Sequence, residues 1–144
     1  MTTIGIIGTS GSRNKMSCFD TQSFNKLVKF IEDEIKIYPD FELWSGGSSG
    51  IDHIAVLLAL KYNCKIKLFL PTEWINGKFY DNGEYSYYKN NGKQLNQLHK
   101  IFSQKIGYNT LEQINELIKK KIVQLKYIMV FIKEMMKLLK RTLF

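Results

Sequence analysis

Cysteine, proline and histidine are scarce in this sequence, and the shortage excludes several classes of protein. The 144 residues include two of each. Cys18 and Cys64 form no C-x-x-C pair and provide no disulfide framework, and with only two histidines the chain has no zinc-binding pattern. We therefore expect reduced thiols, no metal site and no required cofactor.

Long apolar runs are absent as well. No run reaches the roughly 20 residues that a membrane helix needs, and the N-terminus lacks the charged and then apolar pattern of a signal peptide. The composition, 44% hydrophobic and 24% charged, is typical of one folded domain. These features predict a soluble, cytoplasmic protein with no membrane partner.

Basic residues outnumber acidic ones, mainly towards the C-terminus. The formal net charge is +8. Residues 1–100 contain 12 Lys and Arg against 10 Asp and Glu, whereas residues 101–144 contain 9 against 3. In this second part the lysines are spread through an apolar pattern, which is more typical of a solvated helix face than of a phosphate-binding stripe.

Short β-branched segments alternate with segments of helical periodicity over the first half of the chain. The predicted strands are Thr3 to Gly8, Phe41 to Ser45 and Lys65 to Leu70. Between them, one predicted helix runs from Asp20 or Thr21 to the residues before Pro39, and a second runs from Ile51 to Ala59. This order predicts an α/β fold with a three-layer, Rossmann-like parallel sheet.

A loop rich in Tyr, Asn, Gly and Lys follows from Pro71 to Lys93. Its aromatic and basic side chains suit base stacking, although half-buried loop aromatics are the commoner case. Leu95 to Ile106 predicts a third helix. Apolar residues then recur every three or four positions from Leu111 to Leu139, which favours one long terminal helix over a strand at Tyr127 to Ile132.

Two of the predicted strands end in loops of small residues, at the edge where parallel sheets bind ligands. The first loop consists of Gly8, Thr9, Ser10, Gly11, Ser12 and Arg13, and the second of Ser45, Gly46, Gly47, Ser48, Ser49 and Gly50, followed by Asp52. Small residues let the backbone approach a ligand, Arg13 supplies a bidentate donor, and a helix N-terminus near Ser49 favours an anion. We expect both loops to face one crevice.

Asp52 lies in the first turn of the second predicted helix, where two roles are open. It is placed to hydrogen-bond ribose hydroxyls or act as a general base, and equally to compensate the helix dipole. We expect its neighbour His53 to be an exposed helix residue. The loops match neither the dinucleotide pattern G-x-G-x-x-G nor the ATPase pattern G-x-x-x-x-G-K-[ST].

Three motifs at successive strand ends resemble the SLOG superfamily, which includes DprA, the YspA-like and YpsA-like proteins and, more distantly, the LOG phosphoribohydrolases. They are G-S-R from Gly11 to Arg13, S-G-G-S-S-G-I-D from Ser45 to Asp52 followed by Ala55, and L-P-T-E-W from Leu70 to Trp74. The resemblance spans residues 3 to about 107 and implies a Rossmann-like fold that binds a nucleotide or a nucleotide-derived small molecule. It implies ligand contacts for Gly11, Ser12, Arg13, Gly46, Gly47, Gly50 and Asp52.

The resemblance leaves the activity open between a sensor or sequestering module and an enzyme that acts on an N-glycosidic bond with Asp52 as base or nucleophile. The LOG catalytic motif P-G-G-x-G-T-x-x-E is not present, so phosphoribohydrolase activity is not implied. Asn96 and His99 share a face of the third predicted helix and either contact a base or sugar or hydrate the helix surface. DprA-like binding of single-stranded DNA is the alternative function.

The resemblance ends near residue 107, so we divide the chain into a nucleotide-binding domain, residues 1–107, and a helical tail, residues 108–144. Relatives continue with further strands and a G-F-x-x-R-N segment, whereas this chain has a Met-, Lys- and Leu-rich stretch from Tyr127 to Phe144. A/T-rich codons for this stretch, read one nucleotide out of frame, give Y-N-G-F-H-K-R-N-D-E-I-A-K-K. We hypothesise a frameshift that truncates the sheet and leaves a tail that covers its edge or forms a homodimer.

Overall fold

The computed structural model describes residues 1–11, 20–128 and 136–140. The strands are β1 (Thr2–Gly5), β2 (Phe41–Ser45), β3 (Ile66–Leu70), β4 (Trp74–Ile75), β5 (Lys78–Phe79) and β6 (Val123–Tyr127). The helices are α1 (Thr21–Ile35), α2 (Asp52–Tyr62), α3 (Asn91–Ile106) and α4 (Thr110–Lys120), with a 3-10 turn at Tyr87–Lys89. Residues 136–140 are also helical.

Four strands form one parallel sheet in the order β1-β2-β3-β6. The predicted α/β class with a parallel sheet is therefore confirmed. Strands β4 and β5 form a small antiparallel hairpin inside the segment that the sequence predicted as a loop. Asn76 and Gly77 connect them with φ values of 53° and 81°, the conformation for which two-residue hairpin turns select Asn-Gly.

Local sequence signals account for the ends of the first and third helices. The Asp20 carboxylate accepts a hydrogen bond from the backbone N–H of Ser23 at 2.8 Å and caps α1. Gly107, with φ of 87°, ends α3 in the left-handed conformation that glycine adopts without strain. Both ends lie where the sequence predicted them.

The prediction of one long terminal helix is wrong. Helix α4 ends at Lys120, and β6 then pairs with β3 along five residues, from Ile66 opposite Val123 to Leu70 opposite Tyr127. Lys121 adopts a left-handed conformation, φ 57°, that turns the chain out of the helix without a glycine to signal it. Residues 108–128 thus combine a helix and a strand. Residues 129–135 and 141–144, and with them most of the frameshift hypothesis, lie outside the described residues.

All four long helices lie on one side of the sheet. The phenyl rings of Phe24 in α1 and Phe102 in α3 meet edge to face at 5.0 Å, and α2 contacts α4 through His53 and Gln113. Helix α2 packs directly on β2 and β3. Strands connected in sequential order by right-handed crossovers place their helices on one face. Within the described residues the protein therefore has a sheet with helices on a single face, and not the predicted three layers.

The hydrophobic core lies between that face and the helices. It includes Ile4, Leu43, Ile66, Leu68 and Leu125 from the sheet. Helix α2 is apolar on all sides because the sheet lies beneath it and other helices flank it. No helix in the described part of the chain is long and apolar enough to cross a membrane.

Candidate functional site

The two glycine loops meet at the carboxyl ends of β1 and β2, as the sequence predicted. The Ser49 hydroxyl donates a hydrogen bond to the backbone carbonyl of Ser10 at 2.8 Å, and the backbone N–H of Ile51 donates to the carbonyl of Thr9 at 3.2 Å. Gly8 and Thr9 are exposed, and Ser48 is half buried. The loops thus lie side by side at the N-terminus of α2, and we call the space between them the crevice.

Asp52 joins the two loops. One carboxylate oxygen accepts the backbone N–H of Gly8 at 3.0 Å, and the other accepts the hydroxyl of Ser48 at 3.0 Å. The residue is only 7% exposed. Burial raises its pKa, and the hydrogen bonds from Gly8, Ser48 and Gly46 partly oppose that rise. Both oxygens therefore have partners within the protein, and the carboxylate organises the crevice.

Packing inside the protein itself favours glycine at three positions of these loops. A Cβ at Gly46 would lie 2.5 Å from the Asp52 carboxylate, and a Cβ at Gly8 would lie 2.7 Å from the Ile51 side chain. Gly47 has φ of 74°, and a Cβ there would lie 2.5 Å from Leu70. A side chain at any of these three positions would therefore force a neighbouring side chain to move.

The other predicted loop residues divide by exposure. Ser45 is buried, and its hydroxyl oxygen lies 2.8 Å from the carbonyl oxygen of Ile6 and 2.9 Å from that of Asp52, so its single proton is shared between β1 and α2. Gly11 is buried, as are Gly47, Ser49 and Gly50, whereas Ser10 and Gly46 are half buried. Ser12 and Arg13 lie outside the described residues.

His99 is behind the second loop, with no exposed surface. Its Nε2 lies 3.0 Å from the carbonyl oxygen of Gly47, which can only accept, so Nε2 carries the proton. Nδ1 then accepts from the Thr110 hydroxyl at 2.8 Å. His99 thus supports the second loop from the protein interior. A direct contact to a base or sugar would require it to line the crevice, and it does not.

Asn96 holds the hairpin. Its side-chain oxygen accepts from the backbone N–H of Phe79 at 3.0 Å, and its side-chain nitrogen donates to the Phe79 carbonyl at 2.9 Å. The oxygen and the nitrogen of the Asn96 side chain are therefore both paired with the backbone of Phe79. The structure places Asn96 and His99 on the same helix but in different contacts.

His53 was expected to be exposed, and that prediction is wrong: it has no exposed surface. The side chain lies between α2, α3 and α4, where its Nε2 contacts the Gln113 side-chain oxygen at 2.7 Å. Its Nδ1 has no hydrogen-bond partner. The His53 and His99 rings meet edge to face at 5.7 Å. Sequence reasoning missed this pair because most of α2 is buried and the helix has no polar face to show which side meets solvent.

A second concave surface, which we call the basic groove, lies along α3 and the start of α4. Its volume is about 700 Å³, and Lys78, Lys93 and Lys100 line it with Asn96, Gln97, Gln104, Tyr108 and Asn109. The acid in the groove, Asp81, already accepts from the Asn90 amide at 2.7 Å. Among the described residues, Lys78 and Lys100 form no ion pair.

Tyrosines border the basic groove. The Lys93 ammonium lies 5.1 Å from the centre of the Tyr85 ring and 5.4 Å from that of Tyr87. Tyr85 and Tyr88 are 92% and 91% exposed. Lys93 also donates to the carbonyl of Tyr85 at 3.2 Å, so it links the tyrosine segment to the groove.

Neither thiol chemistry nor a metal centre is indicated in the described part of the chain. Cys64 is half buried, and burial raises the pKa of its thiol. No group of three or more His, Cys, Asp or Glu side chains among the described residues is arranged to hold a metal ion. Cys18 lies outside those residues.

Comparison with known proteins gives one relative without an assigned activity. The chain is 40% identical over 119 residues to the uncharacterized protein R261 of Acanthamoeba polyphaga mimivirus, an alignment that covers 77% of this chain and 61% of the relative. The chain therefore spans about three fifths of the length of that relative. No family model and no solved structure matches the chain.

Proposed function

We propose that the chain is a Rossmann-like domain of the SLOG type that binds a nucleotide or a nucleotide-derived small molecule between its two glycine loops. The observation that carries this proposal is the Asp52 bridge, which fixes the two loops side by side at the N-terminus of α2. A helix N-terminus presents backbone N–H groups and a positive dipole end to an anion. Exposed Gly8 and Thr9 let a phosphate approach the backbone.

Asp52 acts first as a positioning residue in this proposal. Its oxygens accept from Gly8 and Ser48 and so keep both loops in register. This arrangement supports a sensor or sequestering module more directly than an enzyme. A role for Asp52 as the base in cleavage of an N-glycosidic bond stays a prediction, which chromatographic detection of the released base would test.

Binding is tested by calorimetry and thermal shift against AMP, cyclic AMP, ADP-ribose and NAD. Thr9→Glu places a negative charge at the mouth of the crevice, and we expect it to weaken binding of the preferred ligand at least about tenfold, or about 1.4 kcal/mol. Thr3→Glu, the same substitution on an exposed residue of β1, is the matched control and should leave affinity unchanged. Arg13→Ala tests the arginine that the motif implies.

Equal affinity of the Thr9→Glu and Thr3→Glu variants would place the ligand elsewhere. Failure of all four ligands to raise the melting temperature or release heat would count against a nucleotide pocket. The comparison of the two variants is decisive because both carry the same added charge.

The basic groove favours a second candidate function, binding of single-stranded nucleic acid. Unpaired Lys78 and Lys100 suit phosphates, and the open ring of Tyr85 suits base stacking. Single-strand affinity falls with salt by a slope of about −0.7 for each phosphate neutralised. We expect Lys78→Ala with Lys100→Ala to reduce the slope by about 1.4 for an oligothymidine probe.

Lys119→Ala with Lys120→Ala, at the C-terminal end of α4, is the charge-matched control for the groove. It should leave the salt slope unchanged. An equal loss of slope in both double variants would show that only net charge attracts the oligonucleotide, and the groove function would then be abandoned.

A further inference from the structure

A continuous chain of hydrogen bonds, which we call the relay, runs from the basic groove to the second glycine loop. It begins at the Ser103 hydroxyl, whose oxygen lies 2.8 Å from the hydroxyl oxygen of Thr110. The Thr110 oxygen lies 2.8 Å from Nδ1 of His99, and Nε2 of His99 lies 3.0 Å from the carbonyl oxygen of Gly47. Ser103 lines the groove and is half buried, whereas Thr110 and His99 have no exposed surface. The relay therefore connects the two candidate sites through the interior of the protein.

The Gly47 carbonyl sets the direction of every proton in the relay. His99 is neutral at neutral pH, because burial lowers its pKa to about 4, so its ring carries one proton. Nε2 donates that proton to Gly47, and Nδ1 must accept the proton of the Thr110 hydroxyl. Thr110 then accepts from Ser103. Its other contact, 3.4 Å to the His99 carbonyl oxygen, is longer and weaker. All three protons point towards the second loop, and Ser103 donates nothing to the groove.

The same heavy atoms also support the reverse direction. When Nδ1 carries the imidazole proton, it donates to the Thr110 oxygen, Thr110 donates to Ser103, and Ser103 donates into the groove. The Ser103 oxygen continues to accept the backbone N–H of Thr110 at 3.1 Å. The number of protons does not change: both hydroxyls rotate, and His99 gives its Nε2 proton to water and takes one at Nδ1. The relay therefore has two states.

The ring of His99 is held in place, so a change of tautomer is the accessible change. The Phe79 ring stacks on it with the ring centres 5.8 Å apart, and the His53 ring meets it edge to face at 5.7 Å. Turning the imidazole out of this position would break two hydrogen bonds in a buried site. Moving the proton from one nitrogen to the other breaks only the bond to Gly47.

Each direction satisfies one end of the relay at the expense of the other. In the first direction the buried Gly47 carbonyl has a donor, and among the described residues it has no other. In the reverse direction the lone pairs of Nε2 and of the carbonyl oxygen face each other, and the loop loses its support. A phosphate oxygen that the groove lysines attract would accept the Ser103 proton and so stabilise the reverse direction.

We propose that His99 is a tautomeric switch through which a phosphodiester at Ser103 and a ligand in the crevice weaken each other's binding. The phosphate takes the Ser103 proton, the relay reverses, and Gly47 is released beside Ser48, which Asp52 holds. A crevice ligand needs this loop in place and favours the first direction. By linkage, each ligand lowers the affinity for the other by the same factor. The inference rests on both candidate functions, the nucleotide crevice and the nucleic-acid groove.

NMR of protein labelled with ¹⁵N-histidine measures the tautomer directly, because protonated and unprotonated imidazole nitrogens have well-separated chemical shifts. Sequential assignment distinguishes His99 from His53. We expect the proton of His99 at Nε2 in the free protein and at Nδ1 when oligothymidine saturates the groove. Calorimetry should show that saturating oligothymidine lowers the affinity for AMP, or for whichever of the four tested ligands binds in the crevice, at least about fivefold.

Three variants separate the switch from binding itself. Ser103→Ala keeps the lysines of the groove but removes the hydroxyl, so oligothymidine should still bind while His99 keeps its Nε2 proton and the two affinities become independent. Ser103→Thr retains a hydroxyl and should restore the coupling. Gln104→Ala, a change at a groove residue outside the relay, is the control and should switch as the unaltered chain does.

Salt-dependent binding of oligothymidine without a change in the His99 signals would overturn the switch and leave the groove function standing. A proton at Nδ1 already in the free protein would also overturn the switch. If oligothymidine does not bind at all, the groove function and the switch both fail. If none of the four ligands binds in the crevice, the nucleotide function fails, and the His99 signals with oligothymidine alone decide the switch. That measurement uses the unaltered chain, so it does not depend on the folding of any variant.

Discussion

The carboxylate of Asp52 accepts a hydrogen bond from the backbone N–H of Gly8, 44 positions earlier in the chain, at 3.0 Å. This bond links the ends of two neighbouring strands through a single side chain. The geometry of the crevice therefore depends on a residue that is itself almost fully buried.

Asp52→Ala should destabilise the protein by about 1 kcal/mol, because the partly buried hydrogen bonds from the Gly8 amide and the Ser48 hydroxyl are both lost. Asp52→Asn retains one acceptor oxygen and should cost less. Urea unfolding monitored by circular dichroism measures both. Ser48→Ala, which removes one donor, is the control. A loss for Asp52→Ala no greater than that for Ser48→Ala would contradict the bridging role.

Gly46→Ala should destabilise the protein by about 1–3 kcal/mol and weaken ligand binding, because its Cβ would lie 2.5 Å from the Asp52 carboxylate. Gly5→Ala is a matched control, since a Cβ at Gly5 has no neighbour within 4 Å. Thermal unfolding of the two variants compares the same chemical change at two strand ends. Similar melting temperatures would show that the loop yields easily to the added methyl group.

The buried histidines should make the protein less stable below about pH 6.5, their ordinary pKa. Burial lowers the pKa of His53 to about 3 and that of His99 to about 4. Between these values and pH 6.5 the unfolded state binds more protons, so stability is complete above pH 6.5 and falls as the pH is lowered. Each histidine contributes a slope of up to about 1.4 kcal/mol per pH unit.

Urea unfolding between pH 7.5 and pH 5 measures this slope. Lys61 and Tyr62 lower the pKa of Glu32 to about 2. Protonation of Glu32 therefore changes stability only below about pH 4.5, outside the range of this measurement. His53→Leu removes one ionisable group and should reduce the slope by about half. An unchanged slope in His53→Leu would show that other groups cause the acid sensitivity.

Thr110→Val should destabilise the protein by about 1–3 kcal/mol, because Nδ1 of His99 loses its donor in a fully buried site. His99 also holds the Gly47 carbonyl, so ligand affinity should fall with stability. Thr21→Val, whose hydroxyl donates to Lys105 at an exposed position, is the control and should have a much smaller effect. Scanning calorimetry measures the stability, and titration calorimetry with the nucleotide that the binding panel identifies measures the affinity.

The sequence predicted the meeting of the two glycine loops because the carboxyl ends of adjacent parallel strands share one edge. It predicted α1 and α3 because Asp20 and Gly107 are strong end signals. It missed β6 because Ile122 and Leu125 fit a helical spacing as well as a strand, and Lys121 gives no sign of its left-handed conformation. Burial of His53 and the role of His99 depend on which helices lie together, which periodicity alone does not determine.

The sequential strand order has a consequence for folding. β2 pairs with β1 and β3 pairs with β2, each with the strand that precedes it in the chain, so β1, β2 and β3 can assemble as they leave the ribosome. β6 is different, since more than about 50 residues separate Leu70 from Val123, and closing so long an interval costs more entropy. We therefore expect the edge on the β3 side to pair last, after α3 and α4 have been synthesised.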